Sequence, residues 1–284
     1  MDIGVSVLPA IPKDSTDRNR TSPFAFTGNK FEYRSVGSSQ SIAGPNTVIN
    51  TIMAEELGKF ADELEKADDF NKALNDLIKR TIKEHKRILF NGDGYSEVWE
   101  EEAKRRGLAN LKTTVDALPA ILMEKNIKLF TSHNIYTETE MRSRYAILLD
   151  TYNKIINIEA HTMIDMARKE ILPAVSRYVG QLTGVLADKI KTEEKLKIKM
   201  PHNMEEETAG TLSELCDKAL TQVVKLETLV AKTDFADDLA RGEYHRDIVI
   251  PAMNELRETC DHMETLTAKD MWPFPQYGDM LFGI

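Results

Sequence analysis

Lys30, Glu32 and Arg34 occupy alternate positions in the stretch NRTSPFAFTGNKFEYRSV (residues 19–36), with Phe31 and Tyr33 between them. Alternate residues of a strand share a face. A strand here therefore presents a carboxylate between two cations on one side and two aromatic rings on the other. Glutamate oxygen suits a hard ion such as Mg2+ or Mn2+. Arginine and lysine neutralise the charge of a transferring phosphate. Arg20, in the polar loop just before, adds a further cation. The same spacing also makes a plain salt-bridge ladder. One glutamate does not hold an ion alone, so the chemical reading requires ligands that this stretch does not supply.

The elements that must position these residues are short. The runs SPFAFT and KFEYRSV flank Gly28-Asn29, a two-residue link typical of a β-hairpin. A single hairpin is not stable in water, so this one is expected to belong to a larger sheet or to pair with another chain. Beyond it, GSSQSIAGPN is a small-residue loop in which Pro45 is suited to open a helix. From about Thr47 onward apolar residues recur at helical spacing. Helices are expected from there through Phe60, over 69–90, over about 95–106 with Gly107 as the stop, as one or two short pieces over 113–130, over 137–192, and over about 204–232 and 235–267. Thr137 and Glu140 have capping-box spacing. Pro173 and Pro251 predict a kink or break within their helices. KTEEKLKIKMPHN (191–203) reads as a charged linker. The tail MWPFPQYGDMLFGI reads as an extended strap that docks Trp272, Phe274 and Tyr277 on a surface. The fold class is therefore mainly α: an antiparallel helical bundle preceded by a short β-hairpin fragment.

Composition narrows the function. The chain has 284 residues, net charge −9 and a hydrophobic fraction of 42%, which suits one large or two smaller globular domains. An acidic balance argues against a general nucleic-acid partner. No apolar run approaches the ~18 residues of a membrane helix. The N-terminus has no basic region of the kind that opens a signal peptide. Cys216 and Cys260 show no metal spacing, and two reduced thiols fit a cytoplasmic protein. The six histidines form neither HExxH nor a Glu-x-x-His pattern. His161 and Asp165 share a helix face, but simple decoration explains them. The methionine and aromatic stripes read as packing.

Longer motifs add a resemblance. DRNRTSPFAFTGNKFEYR, GSSQSIAGPNTVINTIMAEEL, YTETEMRSRYAILLDTYNKIINIEAHTMIDMARKEILPAV and WPFPQYGDMLF resemble the C-terminal part of type III glutamine synthetases, and the likeness runs from residue 1 to 284. The resemblance implies ATP-dependent ligation of ammonia to glutamate through a γ-glutamyl phosphate. It also implies two divalent ions, Mg2+ or Mn2+, and a homo-oligomeric ring whose active sites lie between neighbouring subunits. By the same resemblance Glu32 is a metal ligand, and Arg20 and Arg34 contact the ATP γ-phosphate and the transferred phosphate. Lys30 stands where a basic contact to the nucleotide phosphates is usual. Ala25 replaces a second arginine found in commoner classes, and Ser35-Val36-Gly37 follows Arg34 where an Asp-Pro pair is common. Part of the phosphate clamp is then expected from elsewhere.

The resemblance further implies that residues 1–66 end a catalytic domain and that 67–284 form the helical C-terminal region special to type III enzymes. Family members are much longer than this chain. The portion beyond it is expected to carry a small N-terminal β domain, most of the active-site barrel and the remaining ligands. The chain by itself is thus expected to be inactive. A stand-alone helical interaction module without catalysis is the alternative, and the reading frame upstream of Met1 distinguishes the two.

Overall fold

The computed structural model describes residues 24–26, 31–33, 40–88 and 96–282. Strands β1 (Phe24–Phe26) and β2 (Phe31–Tyr33) pair antiparallel, with Phe24 opposite Tyr33, Ala25 opposite Glu32 and Phe26 opposite Phe31. The expected Gly28-Asn29 link lies outside the described residues. The rest of the described residues are helical or connecting, so the mainly-α expectation holds. No described helix is long and apolar enough to cross a membrane.

The described residues fall into two compact units. One comprises those up to Lys112 together with Pro119–Arg142; the other comprises Thr113–Leu118 and Ser143 onward.

In the first unit, α1 (Ala43–Leu64) starts four residues before the expected Thr47, with Pro45 in its first turn. It buries only Thr51, while Val48, Ile52 and Leu57 stay exposed. Asp69 caps α2 (Phe70–His85) by accepting from the Lys72 amide at 3.0 Å. Helix α2 passes into a 3-10 turn, Lys86–Ile88; the stop expected at 91–94 lies outside the described residues. Arg80 donates to both oxygens of Glu63, tying α2 to α1. Helix α3 (Glu97–Arg105) ends where Gly107 takes a φ of +71°. The Leu108 amide then reaches the Ala103 carbonyl and the Gly107 amide the Lys104 carbonyl, a Schellman closure that favours glycine.

The expected short pieces resolve into α4 (Thr114–Ala117, second unit), a 3-10 turn Leu118–Leu122 holding Pro119, and α5 (Glu124–Ser132). Glu55 of α1 and His133 after α5 meet at 2.8 Å.

Helix α6 (Glu138–Met166) begins with the expected capping box. The Glu140 amide donates to Thr137 Oγ1 at 3.2 Å, and the Thr137 amide to Glu140 Oε2 at 2.7 Å. The interruption of the α-helix expected at Pro173 is present and falls just before the proline. A π turn, Ala167–Ile171, leads into α7 (Leu172–Leu196), and the Leu172 amide bonds back five residues to the Ala167 carbonyl. Pro251 is accommodated in the same way. The π turn His245–Val249 joins α9 (Asp238–Tyr244) to α10 (Ile250–Leu266), with the Ile250 amide bonded to the His245 carbonyl. A proline lacks the amide that an α-turn requires and crowds the carbonyl four residues back. Placing the extra residue of a π turn just before it lets the chain run on.

The local sequences match at these two places, ARKEILPA and HRDIVIPA, a likeness invisible to a search for helix period alone. Each second residue is an ion-paired arginine. Arg168 meets Glu227 at 2.5 and 2.6 Å, and Arg246 meets Asp116 at 2.6 Å and Asp247 at 2.7 and 2.8 Å.

Helix α8 (Asn203–Val230) packs on both α7 and α10. Lys189 near the end of α7 meets Glu205 at the start of α8 (2.6 Å), whereas Arg168 meets Glu227 near its end, so the two run antiparallel. Tyr244 Oη donates to the Leu229 carbonyl and Lys225 meets Glu255, which sets α10 antiparallel to α8 as well. Val175, Leu182, Leu212, Val223, Leu226, Leu256 and Met263 form the core between them.

Two expectations need correction. The charged linker is helical in its first half, since α7 runs to Leu196 and Lys197 then turns left-handed at φ +54°. Lysine, glutamate and leucine are good helix formers that need no buried face. The tail docks only in part. Trp272 is buried and Phe274 packs beside it at 6.3 Å, but Tyr277 is 79% exposed. Tyr277 opens α11 (Tyr277–Phe282), where Asp279 accepts from the Gln276 amide at 3.0 Å in half of a capping box.

Candidate functional site

Of the residues expected to carry phosphate and metal chemistry, Arg20, Lys30 and Arg34 lie outside the described residues. The backbone of Glu32 is described, opposite Ala25 in the two-stranded pair, but its side chain is not. Among the described residues no group of three or more histidine, cysteine, aspartate or glutamate side chains could hold a metal ion.

The helical unit beyond Ser143 has a cleft of about 760 Å³, within the usual range for ligand pockets. Helix α6 supplies one wall with Glu159, Met163 and Met166, and the first π turn adds Ala167 and Ile171. Helix α10 contributes Met253, Arg257, Cys260 and Glu264 to the lining, and Trp272 and Phe274 also line it. The first π turn lines this cleft through Ala167 and Ile171, and Ile250, the first residue of α10, lines it too. The sequence reading took these methionines and rings as packing. The helix-spacing pattern gives no sign that Met163 and Met253 line a common opening, since that depends on how α6 and α10 are placed.

The cleft lining includes one thiol. This thiol, Cys260, is buried, and burial pushes its pKa up to about 11, which keeps it protonated at neutral pH. Burial also raises Cys216, which is only half-buried. Titration with an aromatic disulfide reagent at pH 8 is expected to modify Cys260 about 100-fold more slowly than a free thiol, from its smaller thiolate fraction alone. A Cys260 that reacts as fast as free cysteine overturns this assignment.

A buried polar group supports the fold nearby. Asn153 of α6 is fully buried and donates from Nδ2 to the Asp238 carbonyl at 2.8 Å. Gly242 must be small, because an added Cβ there lies 3.2 Å from Val115, 3.3 Å from Leu149 and 3.4 Å from Asn153. His245, in the second π turn, is buried, and burial, then Arg241, lowers its pKa, so the ring stays neutral. These residues position the π turn and show no substrate geometry.

Comparison with known proteins places this arrangement in a family. Residues 73–191 match the glutamine synthetase C-terminal domain. The chain is 42% identical over 286 residues, 99% of its length, to a type-3 glutamine synthetase of Dictyostelium discoideum. It is 37% identical to a glutamine synthetase of Butyrivibrio fibrisolvens over 96% of its length. With a glutamine synthetase of Bacteroides fragilis it shares 32% identity over 99% of its length. In each case it spans 39% of the relative's length. From the motifs around Glu32 to the π-turn helices, this chain belongs to the type III glutamine synthetase family and carries its C-terminal domain.

Proposed function

We propose that this chain is part of a glutamine synthetase that ligates ammonia to glutamate at the expense of ATP, through a γ-glutamyl phosphate. The observation that carries the reading is 42% identity over 99% of the chain to a protein named for that activity. In this reading Arg20 and Arg34 neutralise charge on the phosphoryl group as it passes to the substrate carboxylate. Lys30 contacts the nucleotide phosphates, and Glu32 supplies one carboxylate toward Mg2+ or Mn2+. Bound there, the ion would screen phosphate charge. One carboxylate does not fill a coordination sphere, and among the described residues no metal-holding cluster supplies the rest, so this reading calls for further ligands.

We place the boundary between the catalytic portion and the helical region at residues 66 and 67. Helix α1 supports this placement: it buries only Thr51 and leaves Val48, Ile52 and Leu57 exposed, as a helix does when its packing partners lie elsewhere. The working enzyme is a homo-oligomeric ring in the cytoplasm, which the two unpaired cysteines suit. It acts on glutamate, ammonia and ATP, without nucleic-acid or membrane partners.

The test is direct. The purified 284-residue chain is expected to form no γ-glutamyl hydroxamate from glutamate, hydroxylamine, ATP and Mg2+, while a longer protein that adds the remaining family sequence does. Hydroxamate formation by the 284-residue chain alone would sink the proposal that its site is incomplete.

A further inference from the structure

The cleft between α6 and α10 has three features that together specify an occupant. Its floor is apolar and rich in methionine, with Met163, Met166 and Met253, which adapt to irregular surfaces. Its lining carries three carboxylates, Glu159, Asp261 and Glu264, against one guanidinium, Arg257, which is engaged by Asp261 at 3.3 Å. Glu159 and Glu264 have no ion-pair partner among the described residues. Finally, the apolar surface does not stop at the cleft. Ile147, Ile155 and Ile158 are 60%, 45% and 62% exposed. Their spacing puts them on one side of α6, leading into the cleft. From Ile147 to Met166 this stripe is about 28 Å long at 1.5 Å per residue, too long for a small ligand and matched to a helix of some five turns.

We propose that the α6–α10 cleft and its isoleucine stripe bind an amphipathic helix whose apolar side lies on the methionine floor and whose basic side chains meet Glu159 and Glu264. Recognition of this kind uses apolar anchors one helical turn apart, with charge fixing orientation. This surface uses none of Arg20, Lys30, Glu32 and Arg34, and its occupation does not depend on the proposed synthetase activity.

A suitable probe is a synthetic 18-residue helical peptide of leucine and lysine, with leucine at positions i, i+3, i+4 and i+7; a companion replaces every lysine by glutamate. Titration into the 284-residue chain carrying Trp99→Phe leaves Trp272, in the cleft lining, as the only tryptophan reporter. The leucine–lysine peptide is expected to give a saturable change in Trp272 emission. Its affinity should fall about tenfold or more with the Glu159→Lys/Glu264→Lys double variant, and should fall as salt is raised from 50 to 500 mM. The leucine–glutamate peptide should bind at least about tenfold more weakly. Equal affinity for the two peptides overturns the proposal in favour of an uncharged apolar ligand, and that comparison requires no change at the cleft. Self-association of the chain that Ile158→Lys abolishes, without saturable peptide binding, overturns it in favour of a second copy.

Discussion

Arg34→Ala in a longer protein that contains this sequence and the remaining family portion is expected to lower kcat for glutamine formation about 100- to 1,000-fold, the usual cost of removing one stabiliser of transition-state charge. Lys30, Glu32 and Arg34 recur every second residue in a β-prone run, a spacing that would put them on one face of a strand. A guanidinium offers two parallel donors to phosphate oxygens, which an ammonium does not. Arg34→Lys should therefore recover only part of the rate. A thermal midpoint that moves little while the rate collapses separates a chemical role from a salt-bridge ladder. Glu32→Ala in the same protein should raise the Mg2+ concentration needed for half-maximal rate about tenfold or more. Unchanged rate and unchanged metal dependence would return both residues to a surface ladder.

Leu256→Ala is expected to destabilise the helical unit by about 3 to 4 kcal/mol, measured by urea unfolding followed by far-UV circular dichroism. Leu256 is fully buried on α10, in the core shared with α7 and α8, and also lines the α6–α10 cleft. Deleting its branched end removes buried apolar surface and leaves a void that helices held on both sides cannot close. The same substitution at the exposed Leu220 of α8 should cost less than about 1 kcal/mol. Equal losses at the two positions would mean that α8 and α10 do not share the packed core described above.

The helices themselves were legible because their signals are local. Thr137 and Glu140 predict a capping box and form one. Gly107 predicts a stop and provides the left-handed residue that closes α3. Apolar spacing places Val223 and Leu226 in the core without knowledge of their neighbours. At the prolines an interruption was legible but its form was not. Pro173 and Pro251 forbid an α-turn, but whether the chain breaks or inserts a π turn depends on the surroundings. Here arginines in both π turns are held by Glu227, Asp116 and Asp247, and Ile171 and Val249 are buried in the core. The tail shows the same limit. Composition asks all three of its rings to dock, yet the space beside α10 takes Trp272 and Phe274 and leaves Tyr277 exposed.

By itself, then, the sequence determined the helical class, most element positions and, through its long motifs, the family, because period, caps and motif text are carried by neighbouring residues. Only the tertiary structure decided that the interruption before each proline is a π turn, which aromatic residues are buried, and that a cleft lined by methionines and carboxylates opens between α6 and α10. Each of these depends on residues far apart in the chain meeting in space, and no local pattern encodes that meeting.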